Sequence, residues 1–182
     1  MPCAPMWPLP VAEWQATAID AVPGLVLRPA TVDDAGLILR LIIELAVYEK
    51  APDAVATDQA GIAASLFGQG ATARALVAEL DGEPVGYAVW FANYSTWLGR
   101  NGLYLEDLYV TPMVRGRGVG KAILRHLAAM AVASGCGRME WSVLDWNAPA
   151  IAFYESVGAR AQSEWTVFRL TGDALGAFAT GR

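Results

Sequence analysis

The sequence predicts an α/β (α+β) domain with a mixed central sheet, its elements in the order β-α-α-β-β-β-α-β-α-β. Three observations lead there. Short apolar runs bounded by Gly, Pro, Asn and Asp recur along the 182 residues, stretches with apolar residues at helical spacing stand between them, and a glycine run follows directly on one of the predicted strands. The length suits one domain with a sizeable core, and an apolar content of 55% points to a compact protein rather than a disordered one.

Residues 1–24 hold four prolines before position 11, with Trp7 and Trp14, and no basic start leading into a continuous apolar core. They read as an extension expected to be poorly ordered, neither a signal peptide nor a membrane span. The domain is expected over residues 25–172, with 173–182 as a tail. Leu25 to Arg28 predicts a short strand, and Thr31 with Asp33 and Asp34 forms a helix-start signal. Leu37, Ile38, Leu41, Ile42 and Leu45 then recur at helical spacing to about Glu49, and a second helix from about Asp58 ends at Gly68 or Gly70.

Ala75–Leu80 and Pro84–Trp90 flank Asp81-Gly82, a pair suited to a tight reversal, and predict a hairpin. A loop through Tyr94, Trp97 and Gly99 delivers the chain to a fourth strand, Leu103–Val110. After the glycine run, Val119, Ile123, Leu124, Leu127 and Ala131 share one side of a helix. Met139–Leu144 predicts a strand, Asn147–Val157 a helix and Trp165–Leu170 a last strand.

The glycine run is Arg115-Gly116-Arg117-Gly118-Val119-Gly120-Lys121. Glycines at alternate positions let the backbone turn tightly and present consecutive N–H groups to an anion, and the helix that follows adds the positive end of its dipole. Spacing excludes two nucleotide loops. A Walker A loop would need Gly where Arg115 stands and Ser or Thr where Ala122 stands; a dinucleotide fingerprint would need Gly in place of Lys121.

Composition narrows the partners. A formal net charge of −5 disfavours a nucleic-acid surface and suits a cationic small substrate. Two cysteines, Cys3 and Cys136, are too few for a disulfide scaffold and suit a reduced, cytoplasmic setting. With a single histidine, His126, and no Cys/His cluster, no metal site is expected.

The R-G-x-G-x-G-K run after a strand resembles the acetyl-coenzyme A pyrophosphate loop of the GNAT acyltransferases, and the predicted element order resembles their fold over residues 25–172. Within that superfamily, Leu103–Val110, Arg115–Lys121 and Trp146–Ala159 are similar to the spermidine/spermine (diamine) N-acetyltransferase branch, as are Arg28–Thr31 and Glu44–Glu49. The resemblance implies a GNAT fold whose sheet splays between strands 4 and 5, with acetyl-CoA as cosubstrate lying in the gap. Main-chain groups of Leu108, Tyr109 and Val110 would hold its pantetheine arm and thioester. Gly116, Gly118, Val119, Gly120 and Lys121 would hold the pyrophosphate, with Arg115 and Arg117 adding charge. Asn147, Pro149 and Ala150 would touch the arm near Tyr154.

Acetyl transfer to an amine needs a neutral amine, a polarised carbonyl and a proton for the departing thiolate. An alkylammonium with a pKa of about 10.4 cannot attack at neutral pH until a base takes its proton. Glu106 is the candidate base, acting directly or through water, and Tyr154, whose phenol stays protonated at neutral pH, is the candidate acid. In a regular strand Asp107 would point away from Glu106; a bulge would bring it to the same pocket. Tyr48, Glu49, Trp97 and Trp165 resemble the branch's polyamine groove, but Lys50 would repel a second ammonium and leaves short diamines and lysine-like amino acids open.

The expected function is N-acetylation of a primary amine on a small cationic acceptor, with no membrane partner. The branch resemblance implies a homodimer. Transfer to a protein amine, or a coenzyme-binding regulatory module without turnover, are the competing readings.

Overall fold

The computed structural model describes residues 15–181. Trp7 and Trp14 lie outside the described residues. The chain divides into two units, one ending at Ser142 and one beginning at Val143.

The first unit is a six-stranded sheet in sequential order: β1 (Thr17–Ala18), β2 (Leu25–Pro29), β3 (Arg74–Leu80), β4 (Glu83–Ser95), β5 (Arg100–Val110) and β6 (Met139–Trp141). All neighbours are antiparallel except β5 and β6. Pairing therefore starts ahead of Leu25, where Thr17 and Ala18 register with Leu27 and Val26. The β3–β4 turn has Asp81 and Gly82 at φ 53° and 85°, the two positive angles a tight hairpin needs.

Two helices, α1 (Ala35–Tyr48) and α2 (Gln59–Phe67), connect β2 to β3. Thr31 and Asp34 form a reciprocal capping box ahead of α1, with the Thr31 N–H donating to Asp34 Oδ2 at 2.8 Å. Arg28 joins that carboxylate at 2.8 Å and Glu79 at 2.7 Å, so one guanidinium ties β2, the start of α1 and β3 together. The hydrogen bond from Arg28 holds the Asp34 carboxyl below the usual range, and Asp34 in turn pushes Arg28 up. Asp58 caps α2 by accepting from the Gly61 N–H at 2.8 Å.

At the other end, α1 stops in a Schellman turn, in which Lys50 takes φ +62° and the N–H groups of Lys50 and Ala51 donate to the carbonyls of Val47 and Ala46. This turn fixes Glu49 as the C-cap residue.

Ile38 and Leu41 of α1 and Ile62 and Leu66 of α2 pack on Ala75, Tyr87, Val89 and Tyr109, which defines one face of the sheet. The alternate positions, Leu25, Leu27, Leu76, Ala88, Trp90, Leu103 and Leu105, are equally buried and belong to the opposite face. Helix α3 (Val119–Ala133) packs on β5 and buries Val119, Ile123, Leu124 and Leu127.

The second unit carries α4 (Ala148–Ser156) and α5 (Gly172–Ala179). Three expectations change toward this end of the chain. The strand expected at Met139–Leu144 is only Met139–Trp141, and Trp165–Leu170 forms no strand at all, while a helix occupies most of the expected tail. The β-branched and aromatic run at Trp165–Leu170 has strand propensity, but propensity describes fit to a sheet, and the described residues of this unit contain no strand to pair with.

Candidate active site

Strand β5 holds the centre of the site because its pairing with β4 slips by one residue. Asp107 registers with Val89 and Leu105 with Trp90, which leaves Glu106 as an extra residue. Leu105 and Leu108 are opposite Trp90 and Ala88, so both point to the buried face on the far side from α1. Asp107, opposite Val89, lies on the α1 side, and Glu106 is the inserted residue of the bulge. The insertion breaks the strict alternation that would send the two carboxylates to opposite faces.

Their surroundings differ. Glu106 is exposed. The Asp107 carboxylate accepts a hydrogen bond at 2.9 Å from the hydroxyl of fully buried Tyr87. Burial raises the Asp107 pKa, and the Tyr87 hydrogen bond opposes that rise by favouring the charged form. Glu49, at the end of α1, is raised first by burial and then by the negative charge of Asp107. Burial and the Asp107 charge likewise push the Tyr87 phenol up, so it stays a donor. Two carboxylates short of water and close to one another favour a cation between them.

Beside the pair opens a pocket of about 450 Å³, with Ile43, Val47 and Pro112 as apolar walls and Glu44, Tyr48, Tyr109 and Arg115 as its polar members. The Arg115 guanidinium lies over the Tyr48 ring at 4.4 Å and the Tyr109 ring at 5.5 Å, and its Nε donates to the Val110 carbonyl at 2.9 Å. Burial and the neighbouring Glu44 raise the Tyr109 phenol, against Arg115, which lowers it. The Arg115 side chain, expected to add charge beside the pyrophosphate loop, thus lies near the end of α1. Trp97 stands in the β4–β5 turn, 86% exposed, and about seven residues of strand, roughly 20 Å, separate that turn from Asp107.

The edge of β5 away from β4 is paired only as far as Leu105, which registers with Trp141. The Thr111 N–H donates to the Val85 carbonyl, so by alternation the main-chain groups of Asp107 and Tyr109 also face β4, and those of Leu108 and Val110 face outward. No strand pairs with that outward edge from Glu106 to Val110 among the described residues. Tyr109, expected to offer its backbone to the coenzyme, also lines the pocket.

Beyond Val110 a 3₁₀ turn at Pro112–Val114 leads into the glycine run. Gly116 and Gly118 take φ +79° and +90°, angles that disfavour any side chain. The first helical bond of α3 runs from the Ala122 N–H to the Gly118 carbonyl, and no side chain caps the helix. The N–H groups of Val119, Gly120 and Lys121 are thus left without helical acceptors, as an anion cradle requires. Arg117 and Lys121 are exposed beside it.

In the second unit, buried Asn147 caps α4 by accepting from the Ala150 N–H at 3.4 Å, with Pro149 in the first turn. Tyr154 sits on α4 with its ring 5.3 Å from that of Phe153, and Trp165 is 69% exposed.

Sequence reasoning did not single out Tyr87. Its signal was strand alternation, which puts positions 87, 89 and 109 on one face with α1.

Residues 43–159 match the acetyltransferase (GNAT) family. The chain belongs to this family. GNAT acetyltransferases use acetyl-CoA, and the uncapped N–H groups at the start of α3 together with the outward groups of Leu108 and Val110 suit a pyrophosphate on an extended arm. A thialysine N-epsilon-acetyltransferase of Sus scrofa is 42% identical over 162 residues, covering 83% of this chain and 95% of that protein. An L-ornithine N5-acetyltransferase of Arabidopsis thaliana is 47% identical over 90 residues, covering 50% of this chain and 40% of that one. Among solved structures, an integron cassette protein from the mobile metagenome of V. cholerae aligns with a TM-score of 0.73 at 24% identity, covering 86% of this chain and 98% of that one, which supports the GNAT fold. This chain is therefore a GNAT acetyltransferase. No helix of the described residues is long and apolar enough to cross a membrane.

Proposed function

We propose that this GNAT acetyltransferase transfers the acetyl group of acetyl-CoA to a terminal primary amine of a small cationic acceptor, a short diamine or polyamine or a lysine-like amino acid. The observation that carries the reading is the acidic pair of Glu49, at the end of α1, and Asp107, at the β5 bulge, both raised by burial, with Asp107 held by the Tyr87 hydroxyl. Such a pair binds an ammonium and, at neutral pH, has little use for any neutral acceptor. The small-amine acceptors named by its thialysine and ornithine relatives agree with it.

Acetyl-CoA supplies the thioester whose acyl carbon the amine attacks. The protein's groups divide the remaining work. Val119, Gly120 and Lys121 hold the pyrophosphate through their N–H groups, with Gly116 and Gly118 shaping the loop and Arg117 adding charge. Leu108 and Val110 hold the pantetheine arm through main-chain bonds, and the family resemblance assigns Asn147, Pro149 and Ala150 to the same arm. Glu106 takes the proton of the bound ammonium, directly or through water, while Asp107 and Glu49 keep the acceptor in place. Tyr154 holds a proton for the departing thiolate. The reading carries a cytoplasmic setting and a homodimer, the latter checked by sedimentation.

Thiol release from acetyl-CoA, measured against diamines, lysine analogues and peptides, tests the proposal. Release is expected with small diamines or amino acids that carry a second amine, and Tyr154→Phe should lower turnover on the order of a hundredfold, as loss of a general acid does. No release with any small amine would sink the reading.

A further inference from the structure

The pocket beside the acidic pair is not built for a plain hydrocarbon amine. It carries one cation, Arg115, and one anion, Glu44, and Tyr109 in its lining stands two residues from Asp107 on β5. We propose that Arg115 and Glu44 form a subsite for the head group of an α-amino acid, with Arg115 taking the α-carboxylate and Glu44 the α-ammonium. The inference rests on the function proposed above and names the acceptor class for that same site.

Three features carry it. First, Arg115 is held in place by its neighbours. Its Nε donates to the Val110 carbonyl and its guanidinium lies over the Tyr48 ring and beside the Tyr109 hydroxyl, which pre-orients it and leaves further terminal N–H donors for a carboxylate. Lysine in this place would be neither stacked nor forked.

Second, Glu44 stands one helical turn before Tyr48, on the same face of α1. Its partner on the helix surface is Arg40 at 3.6 Å, a loose and mostly exposed pair that contributes little. Glu44 also neighbours the Tyr109 hydroxyl, so the three polar groups Glu44, Tyr109 and Arg115 converge on one mouth of the cavity. The two charges match a zwitterion. A diamine offers no anion, so it gains nothing from Arg115.

Third, the spacing fits. Asp107 and Tyr109 project from the same face of β5 two residues apart, about 6.8 Å. In ornithine- and lysine-like side chains the terminal nitrogen lies about 5–6 Å from the α-carbon by standard bond lengths. With the head group against Tyr109 and Arg115, the terminal ammonium reaches Asp107 and Glu49, and Ile43, Val47 and Pro112 wall the methylenes.

The test compares kcat/KM of the intact enzyme for S-(2-aminoethyl)-L-cysteine, its α-carboxamide and its decarboxylated diamine, at saturating acetyl-CoA. The free amino acid is expected to be preferred over both analogues by roughly tenfold to a hundredfold, the range for a charged hydrogen-bonded pair. Arg115→Gln should collapse that preference toward unity and Arg115→Lys restore part of it; Glu44→Gln should do the same for the amino acid against its Nα-acetyl derivative. The readout is a ratio between acceptors, so any loss of coenzyme affinity cancels. Equal use of the amino acid and its analogues by the unmodified enzyme would overturn the inference and leave the acetyl-transfer reading standing. No turnover of any of them would sink both.

Discussion

At the residue scale, Asp107 concentrates the conflict between stability and function. Its carboxyl is raised by burial, as is that of Glu49, so the folded state holds both protons more tightly than the unfolded chain does. The stabilising effect of these protons is complete below the ordinary carboxylate range and is lost as pH climbs through the raised folded-state values. At neutral pH the pair therefore costs stability. Asp107→Asn keeps an acceptor for the Tyr87 hydroxyl and removes a buried charge, so we expect a higher melting temperature and a large loss of acceptor affinity, read by thermal unfolding and by the acceptor KM. Tyr87→Phe acts on the same group with the opposite logic. The hydroxyl favours the ionised carboxylate, so without it the Asp107 pKa rises further and the acidic limb of the kcat/KM profile moves to higher pH. An unchanged limb would remove Asp107 from the acceptor site.

At the scale of elements, the ends decide more than the middles. Helix α1 was legible from Leu37, Ile38, Leu41 and Leu45, and its start from Thr31 and Asp34, because those signals are local. Its stop near Glu49 was legible too, where the helical spacing runs out, but the turn that makes it was not, since Lys50 adopts φ +62°, an angle that sequence reading assigns to Gly or Asn. That angle costs a non-glycine residue about 1 kcal/mol or more, so Lys50→Gly should raise unfolding stability by about 1 kcal/mol, measured in urea. The hairpin at Asp81-Gly82 and the glycine run before α3 were read correctly for the same reason as the helix start: a few adjacent residues carry the whole signal. Trp165–Leu170 fails the test from the other side, with the right residues for a strand and none in its unit to pair with. For the candidate site, the carboxylates could be listed from sequence, but their arrangement could not. It depends on a register slip between two strands, which neither strand encodes alone.

At the scale of the whole molecule, charge and connection matter. The chain carries a net charge of −5, and the candidate acceptor site adds buried carboxylates to that field. Attraction of this kind is screened by salt over about 10 Å at 0.1 M. At saturating acetyl-CoA, the KM of a cationic acceptor should therefore rise as ionic strength increases, and a KM independent of salt would assign acceptor capture to contact alone. Arg28 supplies the mechanical counterpart, since it joins β2, the start of α1 and β3 through Asp34 and Glu79. Asp34 is depressed by that contact, so its contribution is present above the ordinary carboxylate range and disappears as pH falls through the lowered value. Acid thus weakens the joint that positions α1, while it relaxes the Glu49 and Asp107 pair at that helix's far end.

The extra residue in β5 makes the number of acids facing the acceptor a matter of chain length. With Glu106 present, two acidic residues, Glu106 and Asp107, lie between Leu105 and Leu108. A chain one residue shorter here would keep its leucines on the core face and present a single carboxylate. Among related enzymes, a one-residue gap at this point would remove one of the three carboxylates proposed to face the amine while barely changing the overall identity.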